Sequence, residues 1–190
     1  QRRIPPDFRS GFGAEGVITL SDGSLQSAQF SRVKLSPADD YRVSLKRTRG
    51  GFDVSVSGAS ADTRPVLTRL RSGSPGGEKE DSGSATIRAK LDRILGFGDE
   101  RLSNVSMLFE TGNGTISKAD FSAVTGSGEA VVSRMTKGDT ISITSGDAGA
   151  VARFANLYNR LNGGLLNISL KAPREDLWSG SVDARNISLV

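Results

Sequence analysis

Apolar and polar residues alternate through most of this chain with a period of two. Tyr41, Val43 and Leu45 alternate with Arg42, Ser44 and Lys46, and Phe52, Val54 and Val56 alternate with Asp53, Ser55 and Ser57. That period puts one set of side chains on each face of a half-buried strand. Arg49-Gly50-Gly51 separates the two runs, which predicts an antiparallel hairpin. A first strand is predicted from Gly16 to Leu20, a turn at Asp22-Gly23, and a strand from Leu25 to Leu35 with an irregularity in its middle. Further on, Ile87, Ala89 and Leu91 face alike, as do Val105, Met107 and Phe109. Asn113-Gly114, Gly126-Ser127-Gly128 and Lys137-Gly138-Asp139 mark turns between later strands.

Two stretches depart from this period. Asp62 precedes a short predicted helix over 63–70, with Pro65 in the first turn, where a missing amide hydrogen does no harm. Asp147 opens a second helix, because Ala150, Val151, Phe154, Leu157, Tyr158 and Leu161 recur at helical spacing and Asn162-Gly163-Gly164 can end it. The expected helix covers about 148–161 and lies between a strand at 140–144 and one carrying Leu166, Ile168 and Leu170. Residues 72–84 contain no aliphatic side chain and are dense in Gly, Ser and charge, the composition of a flexible linker. The expected organisation is a first β unit over 1–70 ending in a short helix, a linker over 71–85, and a second β unit over 86–190.

The halves repeat. GSLQSAQFS at 23–31, GTISKADFS at 114–122 and GSVDARNIS at 180–188 share one pattern of small, aliphatic and aromatic positions. Leu25 and Phe30, Ile116 and Phe121, and Val182 and Ile187 are each five positions apart. In an uninterrupted strand such pairs face opposite sides, so either both sides are covered or a bulge restores the face. Downstream, DVSVS at 53–57 corresponds to TISIT at 140–144, each followed by an Asp and a helix. The predicted fold is therefore mainly β (α+β). Repeated antiparallel meandering strands form a curved sheet, one helix per repeat packs on it, and a third repeat starts at Gly180.

Composition narrows the chemistry. The chain has no Cys and no His, which excludes thiol nucleophiles, disulfides, zinc fingers and Ser-His-Asp triads. No catalytic residue, metal or cofactor is expected. The net charge of +4 is a mild excess, better read as a solvated surface than as a dedicated nucleic-acid or phospholipid patch. Gly11 to Gly16 fits the G-x-G-x-x-G of dinucleotide sites, but a Pro-rich segment precedes it and a β-like run follows. Ser31 to Lys34 fits S-x-x-K but falls in a predicted strand. Starting at Gln1 without a signal peptide, the chain is expected to be a piece of a longer protein.

Several runs in the second half resemble a known family. They are Leu91-Asp92-Arg93-Ile94-Leu95-Gly96, Leu102-Ser103-Asn104-Val105, Gly114-Thr115-Ile116 with Phe121, and Ser145-Gly146-Asp147-Ala148-Gly149-Ala150. Leu161-Asn162-Gly163-Gly164 and Gly180-Ser181-Val182 with Ile187 complete the set. Together they are similar to the C-terminal region of AsmA-like bacterial envelope proteins, over about 85–190. The resemblance implies a periplasmic β segment of a protein anchored in the inner membrane, concerned with outer-membrane assembly and phospholipid movement. Its implied partners are phospholipid or another envelope lipid and envelope proteins, with no catalytic residues and no nucleic acid.

A sheet with one apolar face suits that implication. Val54, Val56, Val105, Met107, Phe109, Ile141, Ile143, Ile168 and Leu170 are the candidate groove residues, and Arg42, Lys46, Arg47 and Arg49 the candidate head-group residues. The alternative is a structural or protein-binding β module in which sheet and helix seal each other and no lipid enters. An enzyme would need carboxylates clustered in a cleft.

Overall fold

The computed structural model describes residues 2–4, 12–71, 83–112, 115–136, 140–174 and 177–189. The first meander comprises β1 (Arg2–Ile4), β2 (Gly13–Ser21), β3 (Ser24–Lys34), β4 (Asp40–Thr48) and β5 (Gly51–Asp62), followed by α1 (Arg64–Arg71). Next come β6 (Ser84–Leu95), β7 (Arg101–Gly112), β8 (Thr115–Val124), β9 (Ala130–Thr136) and β10 (Thr140–Ser145), then α2 (Ala148–Phe154). The last elements are β11 (Leu161–Asn162), β12 (Leu165–Arg174), β13 (Leu177–Arg185) and β14 (Ser188–Leu189). Strands β1 to β10, β12 and β13 form one twelve-stranded sheet in chain order, while β11 and β14 pair as a separate ribbon. No helix among the described residues is long and apolar enough to cross a membrane.

Every pairing in the large sheet is antiparallel except β5 with β6. The strands from β2 to β5 alternate in direction, as do those from β7 to β10, and both helices follow strands that end on the same side of the sheet. The chain leaves β10 through α2 and reaches β12, which runs back antiparallel beside β10. After α1 it instead returns to the opposite side before β6 runs parallel to β5.

This corrects the expectation of one equivalent helix per repeat. The two helices serve different connections, and among the described residues the third unit has none after β13, only β14. The linker expected between the units falls largely on 72–82, outside the described residues.

The irregularity expected from the five-residue spacing is a bulge in the first two copies. Leu20 faces Leu25 while Thr19 faces Ser27, leaving Gln26 unpaired. In the second copy Thr111 faces Ile116 while Glu110 faces Lys118, leaving Ser117 unpaired. The extra residue restores the face on which Phe30 and Phe121 lie. The third copy differs, because β13 ends at Arg185 and Ile187 lies beyond it.

The hydrophobic core sits at the helix end of the sheet. Leu91, Ile94, Leu102, Val105, Ala123, Val131 and Phe154 form it, with Leu67 of α1 and Val151 of α2 packed alongside. Asp147 caps α2: its Oδ1 accepts from the Ala150 amide at 2.8 Å and its Oδ2 from the Ser127 hydroxyl at 2.6 Å.

α2 stops at Phe154, two turns short of the expected end. Asn156 adopts a left-handed conformation (φ 54°), and the Arg153 guanidinium donates to the Leu161 carbonyl and the Asn162 side chain. Leu161 is thereby drawn into β11 opposite Leu189. Leu157 and Tyr158 are left exposed.

Asp62 joins β5 to α1. Its carboxylate accepts from the Arg64 amide at 3.0 Å and from both arms of the Arg64 guanidinium. Those bonds hold its carboxyl below the usual aspartate value. A depressed carboxyl adds stability above its unfolded pKa of about 3.9 and loses it as pH falls through the lower folded value. Arg64 is 45% exposed, so solvent screening keeps the effect small. Asp62→Asn is expected to flatten the fall in stability below about pH 4, as read by urea unfolding at successive pH values.

Candidate functional site

The register carries one row of side chains across the sheet. Gly16 faces Phe30, Phe30 faces Val43, and Val43 faces Val56. Val56 then faces Ala89, Met107 and Phe121 follow on the next strands, and Ser133 interrupts the row on β9. Ile143, Ile168 and Val182 resume it. A second row lies two residues nearer the hairpin end, through Leu45, Val54, Ile87 and Phe109 on one side and Ile141 and Leu170 on the other. Because side chains two apart share a face, both rows belong to the same side of the sheet.

The row between them points the other way and is polar. It passes from Gln29 through Ser44, Ser55 and Arg88, and beyond Leu108 continues through Asp120, Arg134, Ser142 and Ser169. Leu108 is its one aliphatic member between Gln29 and Ser169. The sheet therefore has an apolar face over eleven strands, β2 to β10 with β12 and β13. It is backed by a polar face over ten of them, from β3 onward, since Gln29 faces Val17 on β2 and Ser169 faces Ser181 on β13. At about 4.8 Å per strand the apolar rows run roughly 48 Å.

Burial divides the apolar face into two parts. At the helix end it is covered: Leu102 is 2% exposed and Val105 5%, beneath Phe154. Along the rest, Val43, Val54, Ile87, Met107, Phe109, Ile141 and Ile168 are only half-buried, and Val182 is 68% exposed. No large side chain among the described residues is completely buried. Apart from the break at Ser133, this is a strip of partly exposed apolar side chains, a kind of surface that marks interaction sites.

All nine candidate groove residues fall on this face. Val105 belongs to the covered end, and Val56 packs against it from the margin. Val54, Met107, Phe109, Ile141, Ile143, Ile168 and Leu170 lie on the open part. Sequence reasoning missed Val43, Leu45, Ile87, Phe30 and Met135 as members of the same rows. Their signal was the same alternation, but only the register shows which alternating runs share a side.

The four candidate head-group residues are not brought together. Arg42 and Lys46 lie on the polar face, where the Arg42 Nε donates to the Ser57 hydroxyl at 2.9 Å. Arg47 alternates to the apolar side opposite Phe52, with its guanidinium carbon 6.0 Å from the ring centre. Arg49 occupies the exposed turn. Clustering in sequence was the only signal for this group, and the pleat divides neighbours between faces.

No family model, curated protein or solved structure matches this chain.

Proposed function

We propose that this chain is a non-catalytic β segment of an AsmA-like, periplasmic, inner-membrane-anchored protein, and that its open apolar face shields acyl chains as phospholipid moves between membranes during outer-membrane assembly. The half-buried apolar rows, backed by a polar face, are the observation that carries this reading. An acyl chain of about 16 carbons left in water costs roughly 13 kcal/mol, at about 0.8 kcal/mol per methylene. A strip roughly 48 Å long exceeds the hydrocarbon thickness of a bilayer, about 30 Å. It can therefore cover a chain along its whole length.

The competing reading is a sealed structural or protein-binding module, which the covered helix end favours for that end alone. A photoreactive residue at Ile141 or Ile168, in protein expressed in a bacterial envelope, is expected to crosslink to phospholipid, with the same lipid seen by native mass spectrometry. Absence of acyl lipid from both experiments overturns the shielding role and leaves the sealed module.

A further inference from the structure

A cleft of about 230 Å³ opens at the helix end of the sheet, lined by the β3–β4 loop at Pro37 and Ala38 and by Ser60, Arg93, Ile94, Leu95 and Arg101. Register explains its make-up. Arg93 faces Ser60 on β5, and Arg101 on β7 faces Leu95, two residues beyond Arg93. The two arginines are thus diagonal neighbours on adjacent strands, within reach of a common point for side chains of that length. They lie on the polar face, since the residue beside each, Ile94 or Leu102, is buried in the core.

Both arginines are exposed residues, and neither has a carboxylate within ion-pair distance among the described residues. The other nearby basic side chains differ. Arg64 is paired with Asp62 and Arg88 with Asp53. Asp62 is the carboxylate nearest in register, opposite Leu95 and diagonal to Arg93, but it is committed to Arg64, and neither it nor Asp40 opposite Ser60 lines the cleft. Asp39 behind the loop is buried and accepts from the Asp62 amide at 2.7 Å. Two unneutralised planar forks beside a hydroxyl suit a tetrahedral oxyanion, because each guanidinium can donate two parallel hydrogen bonds to it. The volume holds such a group with several waters. Leu95, which shares the face of Arg93, gives the same cleft an apolar side.

We infer that Arg93, Arg101 and Ser60 form a binding site for a phosphate group, with the Leu95 wall suited to a phosphate carried on an apolar body. The site rests on its own residues and stands whether or not the opposite face shields acyl chains. Free phosphate and a lipid head group offer the same chemistry to the arginines, and the wall separates them.

The test is a ¹H–¹⁵N NMR titration of the chain at constant ionic strength, first with inorganic phosphate and then with dihexanoyl phosphatidylglycerol below its micelle concentration. Saturable shifts are expected at Ser60, Arg93, Leu95 and Arg101. Arg93→Gln with Arg101→Gln is expected to weaken binding by about tenfold or more, while Arg42→Gln with Lys46→Gln leaves it unchanged. Tighter binding of the lipid than of phosphate assigns the site to a head group, and equal binding assigns it to free phosphate. No saturable shift with either probe, or equal weakening by the Arg42 and Lys46 pair, overturns the site. All four side chains are exposed, and thermal unfolding checks that the variants fold.

Discussion

Truncating Phe154 to alanine is expected to lower the unfolding free energy by about 3–5 kcal/mol, the range for a buried aromatic that leaves a cavity. The effect is large because Phe154 is the side chain through which α2 enters the core. It is 8% exposed and belongs to the cluster with Leu91, Ile94, Leu102, Val105, Ala123 and Val131, contributed by four strands. Its backbone carbonyl accepts from the Phe97 amide at 3.0 Å, and a Cβ added to Gly96 would run into its ring. The surroundings are held by the Arg153–Glu100 ion pair at 2.6 Å, so they cannot collapse freely into the space. Urea unfolding measures the loss. Phe154→Leu, which keeps most of the volume, is expected to cost about 1.5 kcal/mol or less. If both variants lose under about 1 kcal/mol, the helix end is not a packed core.

The paired substitution Ile143→Ser with Ile168→Ser is expected to behave in the opposite way. These residues face each other across β10 and β12 on the open part of the apolar face. Full burial of such a side chain stabilises by about 1.5–3 kcal/mol, so half-burial puts about 1 kcal/mol on each. A loss of about 2 kcal/mol lowers Tm by roughly 4–8 °C in a chain of this size. Acyl-lipid capture, by contrast, is expected to fall by more than about tenfold, since two hydroxyls would stand in the path of the chain without partners. Calorimetry and lipid co-purification read the two effects separately. Unchanged capture removes these residues from any lipid path, and a Tm loss as large as that of Phe154→Ala shows that this face is sealed.

Legibility in the sequence followed the range of the forces involved. The Tyr41 and Phe52 runs read directly as a hairpin because alternation and the Arg49-Gly50-Gly51 turn are local features, and β4 and β5 pair there. The Asp147 cap was also legible, since an N-cap acts over three residues. The length of α2 was not. Helical spacing through Leu157, Tyr158 and Leu161 looked like continuation, but Asn156 and the reach of Arg153 to Leu161 ended the helix. The seven open groove candidates were readable as strand faces, because each strand carries its own alternation. The Arg93–Arg101 cleft was invisible, because it depends on how β6 registers with β7 across an intervening loop. The mainly β character was readable from composition and period, whereas the parallel joint between β5 and β6 depends on chain direction, which periodicity does not encode.

That parallel joint also bears on how the chain acquires its structure. Neighbouring strands before it are closed by tight turns, as where Thr48 faces Gly51 or Ser21 faces Ser24. Such pairings form quickly, because little chain has to be ordered before the first contact. Gly51, however, faces Ser84, and the register keeps that long separation to Asp62 opposite Leu95. Joining the two meanders therefore requires closing a loop that contains a whole helix, the kind of non-local pairing that slows folding. The β5–β6 contact is expected to be the slow step, with two preformed meanders on either side of it. Until it closes, β5 and β6 are two further open edges, and that interval is when the chain is most exposed to mispairing with other strands.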